Sequence, residues 1–228
     1  MVRGEWLHLV ASDDLFYPNK VERQWQAFLD WGVETLAVVH ADMHMIDDGG
    51  EIIGELRAEG AGEGPVFNAW EKLLLNNYVK APTAMVNAGA LRQVGGYPEG
   101  FRFEDYACWL RLSLEYPIGR IPEFLCGYRW HGGNISSSRE DMLVEWVAMQ
   151  QYFVEAFSDR LSPKSVRRCF RKNIRRVRRV ATLGKGDLGW LYWRLFRTFW
   201  STPGGADFDF LNQLLKKSPT LCNSLHRD

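Results

Sequence analysis

The sequence predicts an α/β protein, with a mixed sheet and flanking helices over residues 1–138 and an all-helical extension over 139–228. Three observations predict it. Strand-like apolar runs alternate with helix-periodic segments through the first part, the pattern of a sheet layered with helices. After Ser138 only helical periodicity remains. Charge divides along the chain as well. From Pro163 to Asp228 there are 15 Lys+Arg against 4 Asp+Glu, which leaves 13 basic and 24 acidic residues, out of 28 of each, in 1–162. Such asymmetry marks a module joined to a body of different character.

Each element has its own signal. Trp6-Leu7-His8-Leu9-Val10-Ala11 is strand-like and runs into Ser12-Asp13-Asp14. Pro18 opens a helix with the apolar stripe Val21, Trp25, Phe28 and Leu29, and Gly32 stops it. Val33 to Ile46 predicts a second strand, Asp47-Asp48-Gly49-Gly50 a turn, and Glu51 to Gly54 a short return strand. The Gly- and Glu-rich stretch Glu55 to Val66 predicts a loop, and Phe67 to Leu75 a short helix. Tyr78 to Val86 predicts a strand at an edge or distorted position, because it contains Pro82. Asn87 to Val94 predicts a helix ended by Gly95-Gly96, and Phe103 onward another, with Phe103, Ala107, Leu110 and Leu114 at helical spacing. Strands near Ile118–Ile121 and Phe124–Trp130 complete the first part. The extension contains helices over Arg139–Phe157, from a Ser162-Pro163 cap to Gly184, over Asp187–Trp200 and over Phe208–Leu215.

Composition bounds the function classes. Hydrophobic content of 46% and charged content of 25% are those of a globular protein with a real core. Ten Trp supply core area, stacking platforms for sugars or interfacial anchors. Cys108, Cys126, Cys169 and Cys222 are widely spaced and form no CxxC pair, which indicates neither a disulfide framework nor a zinc site and points to a reducing compartment. No signal peptide and no uninterrupted membrane-spanning apolar run is visible, so the expected location is cytoplasmic.

The candidate chemistry lies in acids and one histidine. Glu104 and Asp105 fall in the first turn of their helix, where backbone N–H groups favour carboxylates. They either complement the helix dipole or provide a fixed general base. Asp13 and Asp14 end a strand, where open α/β sheets place ligands, and equally suit the start of a turn. His40, Asp42 and His44 alternate and so share a strand face, which is a metal cluster or, the favoured reading, the solvent side, with Val39, Ala41, Met43 and Met45 inward. His131 precedes Gly132-Gly133, which permits close backbone approach to a ligand.

Four pieces in order carry a family resemblance. Leu9 to Asp14 followed by Pro18 to Gln24 resembles the metal-binding segment of glycosyltransferase family 2, which has the GT-A fold. His40-Ala41-Asp42 through Asp48-Gly49-Gly50 is similar to that family's next strand and hairpin. Leu91 to Glu99 with Phe103-Glu104-Asp105-Tyr106 resembles its acceptor-side loop and acid motif, and Tyr128 to His131 with Asn134-Ile135-Ser136 its closing segment. The resemblance spans about residues 5–138. It implies an inverting transfer from a nucleotide-diphosphate sugar to a glycan or lipid-linked acceptor. Asp13 would hold a divalent cation, Mg²⁺ or Mn²⁺, with His131 near the metal or diphosphate. Asp14 and Arg129 would help bind the donor, Asp105 would be the general base, and Glu104 would place acceptor or base. Two departures stand out. Ala11 replaces the first Asp of the usual Asp-x-Asp, and the chain begins almost at the metal strand, without the βαβαβ unit that normally precedes it. The expectation is therefore a GT-A domain lacking its nucleotide-binding portion, with an uncovered sheet edge, either inactive alone or acting as a non-catalytic scaffold.

The basic segment from Arg167 to Arg179, followed by the aromatic run Trp190 to Trp200, has the composition of an interfacial helix on anionic lipid. A peripheral membrane contact through 163–200 and a solvated basic face packed through Val166, Phe170 and Ile174 are the two expectations; nucleic acid ranks last. Asn134-Ile135-Ser136 also fits a glycosylation sequon, which matters only in a secreted protein.

Overall fold

The computed structural model describes residues 3–98, 103–131 and 139–182. They fall into two compact units, 1–98 with 105–134, and 99–104 with 135–228. In the first unit a seven-stranded mixed sheet comprises β1 (Trp6–His8), β2 (Leu15–Phe16), β3 (Val38–Ile46), β4 (Ile52–Leu56), β5 (Gly64–Val66), β6 (Met85–Asn87) and β7 (Ile118–Arg129). Its order is β1-β6-β3-β7-β2, with β4 also on β3 and β5 also on β7. Only β3 and β7 run parallel. β2 is antiparallel to β7, pairing Leu15 with Gly127 and Phe16 with Cys126.

This topology sets the position of the site. Parallel β3 and β7 end on the same side, and antiparallel β2 begins there. The turn after β3, the residues after β7 and the acids before β2 therefore meet at one corner, where open sheets bind ligands.

The helices of this unit are α1 (Lys20–Trp31), α2 (Trp70–Leu75), α3 (Ala88–Gln93) and α4 (Glu104–Glu115), the last beginning at the boundary between the units. Gly32 ends α1 with φ of 60°, its N–H bonding the Phe28 and Leu29 carbonyls. Asn87 caps α3 by accepting from the Ala90 N–H at 2.9 Å. Buried Tyr106 donates its hydroxyl to the Leu73 and Leu74 carbonyls at the end of α2, which anchors the first turn of α4. Leu36, Val39, Ala41, Met85, Ile121 and Leu125 form a core layer against which Phe28 and Trp31 of α1 pack. The Trp31 ring lies so close over Gly119 that a Cβ there would approach it to 2.2 Å.

Several expectations change. The Val33–Ile46 strand starts only at Val38, after a turn in which the Leu36 N–H bonds the Val33 carbonyl. Within the expected loop 55–66, β4 runs to Leu56 and Gly64–Val66 pairs with β7. Pro82 lies in a 3-10 turn, Ala81–Thr83, and the strand is reduced to β6, because Pro supplies no ladder N–H. The two strands after α4 are one strand, β7, with register irregularities opposite Ala41 to Met43 beside Pro122.

Two faces differ from expectation. His40 and Asp42 are 1% and 0% exposed, because β3 is a central strand covered on both sides, and Asp42 is paired with Arg120 through contacts of 2.8 and 2.9 Å. In α1 only Phe28 of the expected stripe faces the core: Val21, Trp25 and Leu29 are about half exposed, whereas Lys20 and Gln24 are buried. Gln24 turns inward because its amide donates to the carbonyls of Val39 and Thr83, both at 2.8 Å, where β6 gives way to the 3-10 turn.

In the second unit α5 (Arg139–Ala156) and α6 (Pro163–Thr182) pack together. Ser162 caps α6 by accepting from the Ser165 N–H at 3.2 Å. Cys169, Phe170 and Asn173 of α6 are buried, while Arg167, Arg168, Arg171 and Arg175 are exposed. Among the described residues no helix is long and apolar enough to cross a membrane. The expected helices 187–200 and 208–215, the sequon and Cys222 lie outside the described residues.

Candidate active site

The corner at the strand ends is built by one arginine. Arg129, the last residue of β7, donates its backbone N–H to Asp14 Oδ1 at 3.1 Å and its Nε–H to the Asp13 carbonyl at 2.9 Å. Its Nη1 reaches the carbonyls of Asp47 and Asp48 in the turn after β3, the latter at 2.8 Å. The planar guanidinium fork suits this task, since it holds several acceptors at fixed angles. Arg129 therefore ties the acid loop to the turn 47–50, and the turn is closed by the Glu51 N–H donating to Asp47 Oδ1 at 2.9 Å.

Two residues beyond Arg129, His131 Nε2 lies 3.0 Å from Asp13 Oδ2. That hydrogen bond, with the backbone N–H of Asp13 itself, holds the Asp13 carboxyl below the usual carboxylate range. Burial pushes its neighbour Asp14 the other way. Asp13 is thus the more readily ionised member of the pair.

A separation of 3.0 Å is also what adjacent ligands of an octahedral site with bonds of about 2.1 Å would have. Asp13 and His131 would offer a divalent cation one carboxylate oxygen and one imidazole nitrogen. They do not form a full cage: among the described residues no group of three or more His, Cys, Asp or Glu could hold an ion.

The acid pair lies at the start of α4. Glu104 is exposed and Asp105 half-buried. Asp105 Oδ1 accepts the adjacent Tyr106 N–H at 2.6 Å, so the carboxylate is oriented by its own helix. Its charge acts on Lys80, a largely buried amine that donates to the Asn77 carbonyl at 3.0 Å. Asp13, Asp14, Arg129 and His131 are thus brought together, and Asp105 is set on a rigid helix beside a cation.

Around His44, the partners Tyr17, Phe124 and Arg57 carry no signal as site residues in the sequence. Tyr17 bonds His44 Nδ1 at 2.7 Å, His44 stacks on Phe124 at 4.1 Å, and the Arg57 guanidinium lies over the other partner of that stack, Phe124, at 4.6 Å from the ring centre. Trp130, beside His131, is 47% exposed. Alternation on β3 was the available signal for His44, but its aromatic partner lies 80 residues away.

The chain is similar to known proteins over part of its length. The chain is 32% identical over 131 residues to the O-antigen biosynthesis glycosyltransferase WbnJ of Escherichia coli, covering 56% of this chain and 48% of that protein. It is 29% identical over 132 residues to an uncharacterized glycosyltransferase of Rickettsia bellii, covering 58% and 18%, and 22% identical over 150 residues to one of Rickettsia felis, covering 64% and 25%. The chain therefore spans about half the length of the first of these relatives and a quarter or less of the other two. No family model matches it. Its similarity is to proteins named glycosyltransferases.

Proposed function

We propose that this chain carries the metal-side and acceptor-side portion of an inverting, family 2, GT-A glycosyltransferase. It moves a sugar from a nucleotide-diphosphate donor to an acceptor hydroxyl in surface polysaccharide or glycan synthesis. The observation that carries the reading is the corner itself, with Asp13 and His131 3.0 Å apart and both braced by the Arg129 segment. The resemblance to named glycosyltransferases supports it.

In this reading Asp105 accepts the proton of the acceptor hydroxyl. The hydroxyl oxygen forms a bond to the anomeric carbon from the face opposite the leaving group, and the bond to the nucleoside diphosphate breaks, which inverts the centre. Asp13 and His131 would hold Mg²⁺ or Mn²⁺, which supplies Lewis-acid stabilisation of the departing diphosphate. Asp14 and Arg129 fix the loop that presents Asp13. Glu104, exposed beside the base, orients the acceptor.

The test uses the natural full-length protein with a panel of nucleotide sugars and Mn²⁺, reading nucleoside diphosphate release and the anomeric configuration of the product. Inverted product from wild type and none from Asp13→Asn is expected. Retained configuration would overturn the mechanism, and full activity in Asp13→Asn would overturn the site.

The exposed Arg167, Arg168, Arg171 and Arg175 of α6 favour a second, additional role: contact with an anionic membrane on its cytoplasmic face. Sedimentation with phosphatidylserine vesicles at low and high salt tests it, and absence of binding at low salt would end it.

A further inference from the structure

Lys20 is fully buried, yet among the described residues none of its contacts is a carboxylate. Its ammonium donates to Gln24 Oε1 at 2.7 Å, meets His8 Nδ1 at 2.9 Å and lies 4.3 Å from the centre of the Phe16 ring. Two hydrogen bonds and one cation–π contact thus occupy its three N–H directions, and the charge is left unneutralised. Burial pushes this amine down to about 8 and, with the Lys20 charge beside it, pushes His8 down to about 4. Burying an ammonium without an anion is costly. A Met or Leu would fill the same space at no such cost, so the arrangement calls for a reason.

Its place in the chain supplies one. His8 ends β1 and Phe16 ends β2, so the two groups gripped by Lys20 are the two stems of the loop that carries Asp13 and Asp14. Among the described residues the loop is held by the Asp14 N–H to the Ala11 carbonyl at 3.2 Å, the Tyr17 N–H to the Leu125 carbonyl at 3.1 Å, the His131–Asp13 contact at 3.0 Å and the Arg129 contacts. The strands are also minimal, since β1 has three residues and β2 two. Phe16 pairs with Cys126 of β7, so the stem gripped by Lys20 is also the strand that β7 holds in the sheet.

We propose that Lys20 is a positioning residue for the acid loop: its buried ammonium clamps His8 and Phe16 together from beneath and so fixes where Asp13 and Asp14 stand. Lys20 does not touch the ligand. Its value for sugar transfer rests on the function proposed above, whereas the clamp is a property of the fold alone.

The experiment measures amide hydrogen exchange at Asp14, Tyr17 and Arg129, with the β3 amides as internal control, in wild type, Lys20→Met and Phe16→Leu. Met keeps the length and volume without the charge, and Phe16→Leu removes only the ring. The expected result is roughly tenfold faster exchange of the three loop amides in Lys20→Met, a smaller acceleration in Phe16→Leu, and unchanged β3 protection. Loop protection equal to wild type in both variants would overturn the proposal, as would loss of protection spread evenly over β3. In parallel, binding of UDP, GDP and dTDP with Mn²⁺ is measured by calorimetry. A loosened loop with about tenfold weaker nucleotide binding supports both proposals. A loosened loop in a protein whose wild type binds no nucleotide and transfers no sugar keeps the clamp and overturns the enzymatic reading. Unchanged loop exchange and unchanged nucleotide affinity in Lys20→Met reject the clamp and leave the enzymatic reading standing.

Discussion

The strand-end corner and the first turn of α4 hold their acids in opposite ways. At the corner, Asp13 and Asp14 are bound by groups 115 to 118 residues away in sequence, namely Arg129 and His131. At α4, Asp105 is oriented by the amide next to it. The corner is therefore a tertiary object that exists only when β2, β3 and β7 are assembled. The α4 acids are a local object that the helix start alone can orient. Damage to the corner should cost folding and chemistry together, whereas damage at α4 should cost chemistry only.

The sharpest test of that division is Asp105→Asn. Removing a general base is expected to lower kcat by roughly 10²–10⁴-fold, with Tm and nucleotide affinity within error of wild type. Unchanged glycosyl transfer would break the assignment, and a large fall in Tm would break the local character claimed for α4. Next comes Arg129→Met, which leaves the carbonyls of Asp13, Asp47 and Asp48 without this donor. A loss of about 2–4 kcal/mol in urea unfolding is expected, with weaker Mn²⁺–nucleotide binding alongside. Stability equal to wild type would show that the corner is held by something other than Arg129.

Acid should reveal a third difference. Burial, reinforced by the nearby Arg120 charge, pushes His40 down to about 3, and His8 lies at about 4. Both are neutral when folded and protonate near pH 6.5 when unfolded, so below that pH the unfolded chain binds more protons. Stability is full above about pH 6.5 and falls toward pH 4, with a limiting slope of about 1.4 kcal/mol per pH unit for each histidine. Urea midpoints at pH 7, 6 and 5 measure this, and His40→Asn should flatten the curve. A midpoint independent of pH in that window would contradict the buried, neutral state of both rings. The smallest effect belongs to Glu104→Gln. The residue is exposed at the helix start, and a stability change of about 0.5 kcal/mol or less is expected, with any effect on transfer read as acceptor KM.

The same contrast explains what could be read from the chain. The start of α4, the Asn87 cap and the Gly32 stop follow from residues within a few positions of one another, so local patterns sufficed. Asp13 and His131 were singled out together only through an ordered set of segments, and their side chains do meet. Arg129 was expected to bind the donor; its described contacts add a role as a strut between two loops. What sequence missed depends on layering. Alternation at His40, Asp42 and His44 implied a solvent face, because one strand cannot report that its other face will also be covered. The Asp42 partner, Arg120, lies 78 residues on and carries no local mark.

Helix α1 buries polar residues in its first half and packs apolar ones, Phe28 and Trp31, against the core in its second, and that bears on how it tolerates change. Its oily positions Val21, Trp25 and Leu29 are open to solvent, and its polar positions Lys20 and Gln24 are closed in. In a saturation library selected for sugar transfer rather than for folding, Ser, Glu or Lys should survive at the three apolar sites, while Leu or Met at Lys20 and Gln24 should be depleted. A substitution matrix trained on ordinary cores would rank these five positions in reverse, so the helix doubles as a calibration of any method that infers tolerance from hydrophobicity alone.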